Sequence, residues 1–314
     1  MKIAIIGPGA MGCLFAGLLT ESGHEVWLLD KNPQRAKKLS QTGLYIEGIG
    51  GCRIVKLMVT SNLYDITAPR QSRDRPDLVF VWVKAYDTVD AIRMAHPILA
   101  DHTHVISLQN GLGNLEAIAQ IVNPEKIIGG ITSHGATLID IGHIRHAGKG
   151  DTIIGRMNKQ IDDELHQIAD LLSEAGIETK VSSDVEGAIW SKLVINAAIN
   201  PLTAITRLKN GQLLESDETR RLLDLVAEES EKIVQLAGIT LAYPDIKSKV
   251  YDVCQATAQN TSSMLQDILR GKRTEIDAIN GAIVEKAKDL NIDAPVNEML
   301  TCLVKTLEKE DDYN

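Results

Sequence analysis

The 314-residue chain has few cysteines and nothing that gathers them. Cys13, Cys52, Cys254 and Cys302 stand far apart without a CxxC pair, so neither a metal site nor a disulfide framework is indicated. Buried free thiols in a reducing compartment are the simpler expectation. Basic runs are missing too. With a net charge of −9 the chain lacks the basic surface that neutralising phosphates requires, which argues against nucleic-acid binding. An uninterrupted apolar stretch of the roughly 20 residues a membrane span needs is also absent, so no membrane partner is expected. The opening MKIAIIGPGAMG is apolar but broken by glycines and has no small-residue cleavage site. It does not read as a signal peptide, and a cytoplasmic location is expected. Internal repeats and low-complexity segments are missing, and the acidic end, Glu308 to Tyr313, reads as a frayed tail.

What is present is ordinary globular material, 44% hydrophobic and 24% charged, in a chain long enough for two domains. Lys2 to Ile6 is a β-branched run, followed by a glycine turn and an apolar-periodic stretch from Met11 to Ser22. Glu25 to Leu29 reads as a second strand, completing a βαβ unit. Leu78 to Val83 and His104 to Leu108 are strand-like, with a helical pattern from Tyr86 to Leu99 between them. The alternation predicts an α/β fold with a Rossmann-type doubly wound parallel sheet. The glycine-punctuated stretch from Ile127 to Ile154 reads as later, partly antiparallel strands of that sheet, and a helix is expected near Ile161 to Ala175. From Val185 onward helical periodicity takes over, including Glu218 to Gln235 and Thr274 to Leu290, which predicts an all-α C-terminal domain. The boundary is expected near residue 183, giving domains 1–183 and 184–314.

Gly7, Gly9 and Gly12 spell GxGxxG in the segment Gly7, Pro8, Gly9, Ala10, Met11, Gly12. The first glycine suits a tight turn, the second a close approach of backbone to a pyrophosphate, and the third close packing of helix on strand. The diphosphate would sit at the helix N-terminus, where unpaired N–H groups favour negative charge. Because the motif follows a strand and opens a helix, it predicts dinucleotide binding; a structural glycine turn would not need all three positions. Asp30, at the end of the second strand, suits the ribose 2′-OH of NAD(H). Lys31 and Arg35 follow and suit the 2′-phosphate of NADP(H), so the local charges point both ways.

In WSKLVINAAINPLTAITRLKNGQLL, Lys192, Asn196 and Asn200 recur every four residues, which puts an amine and two carboxamides on one helical face. A solvated polar stripe is the plain alternative. The intervening residues are mostly apolar, however, and buried Lys and Asn are costly without partners, so the stripe is read as lining a site.

Five blocks in order, GPGAMG (Gly7 to Gly12), VKAYDT (Val83 to Thr88), QNGLGN (Gln109 to Asn114), the WSK to NGQ stretch, and SSMLQDILRGKRTEIDAING (Ser262 to Gly281), resemble the ketopantoate reductase (2-dehydropantoate 2-reductase) family over nearly the whole chain. The resemblance implies reduction of a 2-oxo acid in pantothenate and coenzyme A biosynthesis, with NADP(H) as cofactor and NAD(H) as the alternative. It implies that Lys192 donates a proton to the carbonyl oxygen, a role combining general-acid and electrostatic stabilisation. Glu275 would orient that lysine at the cofactor and substrate; an exposed salt bridge with Lys272 is its plainer role. Asn196, Asn200, Asn210, Asn260 and Ser263 would hold the substrate's carboxylate and hydroxyl, each carboxamide offering a donor and an acceptor. Lys84 and Asn110 would line the nicotinamide side, Lys84 being otherwise a strand-end surface lysine, and Ala136, in the SHGA turn after Gly130, would contact the cofactor through its backbone. Ser262 and Gln266 read as structural. The Asp30–Lys31 pair departs from the family's usual apolar–basic order and bears on cofactor preference. A homodimer through the helical domain is implied only at family level. Two other readings stand beside this one: a reductase of another branched 2-oxo acid, and a non-catalytic NAD(P)H sensor, which would need neither Lys192 nor Glu275.

Overall fold

The computed structural model describes residues 1–67 and 75–309. The chain folds as two compact units, Met1–Gln109 with Asn114–Val185, and Asn110–Gly113 with Glu186–Asn314.

The first unit carries strands β1 (Lys2–Ile6), β2 (Glu25–Leu29), β3 (Leu44–Gly48), β4 (Arg53–Val55), β5 (Met58–Thr60), β6 (Leu78–Val81), β7 (His104–Ser107), β8 (Ile127–Thr132), β9 (Gly135–Asp140), β10 (His143–Gly148), β11 (Thr152–Gly155) and β12 (Thr179–Val181). Its helices are α1 (Ala10–Glu21), α2 (Pro33–Thr42), α3 (Thr88–Ala95), α4 (Asn114–Ala119) and α5 (Asp163–Glu174). The large sheet runs β12-β11-β8-β7-β6-β1-β2-β5. Its strands from β5 to β8 are mutually parallel. Taken in chain order these six give 3-2-1-4-5-6, the doubly wound order whose direction reverses between β1 and β6. The reversal opens a crevice at the carboxyl ends of those strands, where the glycine loop lies. β11 pairs antiparallel to β8.

The stretch Ile127 to Ile154 corrects the sequence expectation in part. β8 and β11 do extend the large sheet, but β9 and β10 leave it to join β3 and β4 in a separate four-stranded sheet, β4-β3-β10-β9. Helix α1 packs against β2 of the large sheet and against β3, β9 and β10 of the small one. That double packing explains why α1 is apolar all round, with Cys13, Leu14, Phe15, Ala16, Gly17 and Leu19 buried. Gly17 faces the small sheet, where a Cβ would lie 2.6 Å from Ile46 Cδ1.

The second unit is helical: α6 (Val185–Thr206), α7 (Asp217–Leu236), α8 (Ile246–Ala256), α9 (Ser263–Leu269), α10 (Asn280–Asp289) and α11 (Pro295–Leu307) surround a core that includes Trp190, Leu193, Val226 and Ile283. α6 is long and apolar enough to cross a membrane by length and composition, yet most of it is buried inside the protein. The long helix expected over Thr274 to Leu290 is shorter, because a 3₁₀ turn at Ile276–Ala278 precedes α10.

Two smaller expectations are corrected. All four thiols are free, but Cys52 and Cys302 are exposed rather than buried. Glu308 is no frayed residue: its carboxylate accepts from Thr274 N at 2.7 Å and Thr274 Oγ1 at 2.6 Å, tying the end of α11 to the residue before Glu275. The rest of the acidic end from residue 310 lies outside the described residues.

Candidate active site

In the first unit the three glycines have distinct environments. Gly7 sits at φ +102°, and a Cβ there would come within 2.9 Å of the Trp82 backbone; at Gly12 a Cβ would lie 2.0 Å from the Gly7 carbonyl oxygen. A Cβ on Gly9 would meet nothing within 4 Å. Two glycines are therefore demanded by the protein's own packing and the middle one by no neighbour among the described residues. That is the arrangement expected where backbone must leave room for a pyrophosphate. Gly9 is the N-cap of α1, no side chain caps the helix, and no acidic residue stands in its first turn. The N-terminus is thus open to an anion. Pro8, Ala10 and Met11 complete the loop, and the Cys13 thiol braces it by donating to the Pro8 carbonyl at 3.5 Å. Burial pushes that thiol up to about 12, so it stays protonated.

Asp30 at the end of β2 is fully buried. Its Oδ1 accepts from Asn32 N at 2.9 Å and from Arg35 Nη2 at 2.6 Å, and its Oδ2 accepts from Arg35 Nε. The hydrogen bonds that Arg35 donates to Asp30 hold the pKa of its guanidinium above the ordinary value. Asn32 also caps α2, accepting from Gln34 N and Arg35 N, each at 3.0 Å, with Pro33 at the first helical position. Lys31, between these residues, is exposed and lies 3.6 Å from Asp87.

Lys84 precedes the 3₁₀ turn Ala85–Asp87 after β6; Ala136, expected in a turn, lies instead within β9, where the chain pairs with β10. The β6 and β7 loops are locked together by a buried network that the sequence did not disclose. Ser107 Oγ donates to Gln109 Oε1 at 2.8 Å, Gln109 Nε2 donates to Val83 O at 2.7 Å and Thr88 Oγ1 at 2.9 Å, and Thr88 Oγ1 donates to Asn114 Oδ1 at 2.9 Å. Gln109 and Thr88 belong to the blocks that carry the resemblance; polar residues ending apolar strands were the available signal.

A second unanticipated feature is a histidine pair. His134 Nδ1 lies 3.2 Å from His146 Nε2, the rings stack, and Phe15 packs on the edge of His134. Burial, with smaller contributions from His146 and Lys149, pushes His134 down to about 4, so the ring is neutral near pH 7.

In the second unit α6 carries Lys192, Asn196 and Asn200 on one face, the first two half-buried and Asn200 buried. Burial lowers Lys192 to about 8, and the Glu275 carboxylate opposes that shift. Glu275 is itself 7% exposed, which sets aside the exposed salt bridge as its role. Asn110 enters this unit with its neighbours: Gly111 at φ +84° approaches Ala278 so closely that a Cβ would lie 2.7 Å from the Ala278 carbonyl oxygen, and Leu112 N donates to that oxygen at 2.9 Å. The loop bearing Asn110 is thereby fixed to the turn that follows Glu275.

Asn210 and Asn260 are brought together, Asn210 N donating to Asn260 O at 3.1 Å and Asn210 Nδ2 to Thr257 Oγ1 at 2.8 Å. Asn210 is buried, whereas Asn260 and Ser263 are exposed. Ser262 is structural: its Oγ caps α9 at Leu265 N and accepts from Thr203 Oγ1 of α6 at 2.6 Å. Gln266 Nε2 donates to Thr261 O at 2.9 Å. Among the described residues no group of three or more His, Cys, Asp or Glu is disposed to hold a metal ion.

A doubly wound dinucleotide-type unit followed by a helical unit in which a buried glutamate acts on a half-buried lysine defines a class of two-part NAD(P)H oxidoreductases. Comparison with known proteins narrows it. The model described as ketopantoate reductase PanE/ApbA matches residues 3–159 and its C-terminal counterpart residues 184–308. Relatives named 2-dehydropantoate 2-reductase from Archaeoglobus fulgidus and Pyrococcus horikoshii are 38% and 39% identical, with 98% of each chain covered. A solved ketopantoate reductase family protein from Ralstonia eutropha superposes with a TM-score of 0.89 at 32% identity, covering 99% of this chain and 100% of the other. A D-mandelate dehydrogenase solved with NADH and anilino(oxo)acetate gives a TM-score of 0.92 at 27% identity, with 99% of each chain covered. The chain belongs to the ketopantoate reductase family, a family of NAD(P)H-dependent 2-oxo acid reductases.

Proposed function

We propose that this chain reduces ketopantoate to pantoate with NADPH, residues 1–183 holding the dinucleotide and 184–314 the 2-oxo acid. The observation that carries this reading is the half-buried Lys192 under the electrostatic influence of the buried Glu275 on the helical unit, with Asn196 and Asn200 on the lysine's own helix face. Gly7 to Gly12 would cradle the diphosphate, a role the open space at Gly9 supports. Lys84 and Asn110 would line the nicotinamide side, Ala136 would contact the cofactor through its backbone, and Glu275 would stand at both cofactor and substrate.

When bound, the reduced nicotinamide supplies the hydride that the carbonyl carbon accepts. Lys192 then gives its proton to the carbonyl oxygen, so C=O becomes CH–OH, and the neutral amine is reprotonated from water. An amine poised near neutrality is suited to this, since an efficient general acid has a pKa close to the working pH. Glu275 keeps the ammonium form populated. Asn196, Asn200, Asn210, Asn260 and Ser263 would hydrogen-bond the carboxylate and hydroxyl. A site built of such donors and acceptors discriminates against acids lacking the hydroxyl.

Lys31 is exposed and free of Asp30, whose charge is taken up by Arg35; this favours NADPH. The likeness to a dehydrogenase solved with NADH favours a second reading, a related 2-oxo acid reductase using NADH. Initial rates of NADPH and NADH oxidation with ketopantoate, 2-oxoisovalerate and pyruvate test both. Fast turnover of ketopantoate with NADPH is expected; activity confined to the simpler acids would reassign the substrate.

A further inference from the structure

Helix α6 contains Pro201 in its interior. Proline has no backbone N–H, so the carbonyl four residues earlier, Ala197, loses its helical donor. A buried carbonyl left unpaired is costly. Here the missing donor comes from elsewhere in the same unit: Asn280 Nδ2 donates to Ala197 O at 3.0 Å.

Asn280 is itself held. Its Nδ2 also donates to Asn297 Oδ1 at 2.9 Å, and Asn297 Nδ2 donates to Glu229 Oε1 at 2.8 Å and Ser230 Oγ at 3.2 Å. Glu229 further accepts Val296 N at 2.9 Å and Asn297 N at 2.8 Å at the start of α11. Asn280 and Asn297 are both wholly buried. The Asn280 Oδ1 has no partner among the described residues, and the carboxamide is oriented by the two oxygens facing its nitrogen; a flipped amide would set oxygen against oxygen.

The position of this hydrogen bond gives it meaning. Ala197 lies between Asn196 and Asn200 on the helix that bears Lys192, and Asn280 opens α10 immediately after the turn that follows Glu275. We propose that Asn280 is a positioning residue: its carboxamide replaces the donor Pro201 lacks, and by completing the backbone hydrogen bonding of α6 it holds the helix in the shape that sets where Lys192 stands. The proposal rests on the reading that Lys192 and Glu275 perform the chemistry.

A rescue experiment tests it. Asn280→Ala removes the donor; Pro201→Ala restores a backbone N–H to the same carbonyl. Each single variant and the double variant are compared with wild type for kcat/KM with the 2-oxo acid, its alkaline pH knee, NADPH Kd by fluorescence titration, and the urea midpoint. Asn280→Ala is expected to lower kcat/KM by at least about tenfold and to shift the knee, with NADPH Kd nearly unchanged. Pro201→Ala in that background is expected to recover most of the loss and return the knee. If Asn280→Ala lowers the urea midpoint but leaves kcat/KM and the knee in place, or if Pro201→Ala restores the midpoint alone, the hydrogen bond is merely structural and the proposal fails. Should Asn280→Ala not fold, the double variant decides: wild-type kcat/KM supports replacement of the donor, and a low value refutes it. Failure of the parent reading shows separately, as a Lys192→Ala enzyme with wild-type kcat, and this proposal then falls with it.

Discussion

The pairing of Lys192 with Glu275 makes a quantitative claim about pH. An ordinary lysine has a pKa of 10.5, and burial brings Lys192 to about 8 against the pull of Glu275. With that value about nine in ten side chains are protonated at pH 7 and about one in ten at pH 9, whereas an ordinary lysine would remain almost wholly protonated at both. A general acid works only when protonated, so kcat/KM, which reports the free enzyme, is expected to be flat to about pH 7.5 and then to fall tenfold per unit above about 8. Glu275→Gln removes a carboxylate that raises this pKa, so the knee is expected to move to lower pH. Lys192→Ala supplies the control: a loss of roughly 100-fold or more in kcat, with no residual knee and little change in NADPH Kd. The assay is the initial rate of NADPH oxidation from pH 6 to pH 10 with the cofactor saturating. A profile flat to pH 10, or a knee that Glu275→Gln leaves in place or moves upward, would refute the argument.

Three other outcomes are expected. Gly12→Ala drives a methyl to 2.0 Å from the Gly7 carbonyl and should cost about 1–3 kcal/mol in urea unfolding, while Gly9→Ala, facing open space, should unfold like wild type yet bind NADPH more weakly. Equal stability losses at the two positions would contradict the separate roles. Asp30→Ala should raise the NADPH-to-NADH ratio of kcat/KM, because it releases Arg35 beside Lys31, and should cost on the order of 1–2 kcal/mol, the pair being solvent-screened on the arginine side; an unchanged ratio would make Asp30 purely an anchor. His134 has a folded-state pKa of about 4 against the ordinary 6.5. Between those values the unfolded chain binds a proton that the native chain refuses, so stability is full above about pH 6.5 and falls as pH drops toward 4, by at most about 3 kcal/mol. The gap between the urea midpoints at pH 7 and 4.5 should narrow in His134→Phe, the likewise lowered His104 and His146 keeping part of it, and an unaltered gap would remove His134 as a cause.

The legible parts of this sequence are those where one physical demand dominates. The β1–α1–β2 unit could be read because burial on both faces makes its strands continuously apolar, and the three glycines punctuate it at fixed spacing. β2 appears over the residues expected, Glu25–Leu29. α2 escaped notice because only Ala36 and Leu39 of its ten residues are buried, although Asn32–Pro33 is a helix-start signal in plain view. The small sheet was hidden for a different reason: β3 and β10 pair across about a hundred residues, a partnership no local pattern encodes. The Asp30 side chain shows a third limit. Its place at the strand end suits a ribose, but the direction of the carboxylate depends on Arg35 one turn into α2, a helix the pattern did not reveal.

The helical unit sharpens the last point, because there the polar face of α6 was visible while its support was not. Lys192, Asn196 and Asn200 announce themselves by spacing in an apolar segment. Pro201 in the same segment says that one carbonyl will need an outside donor, and that statement is also local. What the sequence withholds is which donor answers, since Asn280 lies more than eighty residues away and is itself oriented by Asn297 and Glu229 from two further helices. A proline inside a site-bearing helix is therefore a prompt to search the fold for a buried carboxamide aimed at the orphaned carbonyl. In this unit that search ends five residues past Glu275, which ties the backbone of the lysine's helix to the segment that tunes the lysine's charge.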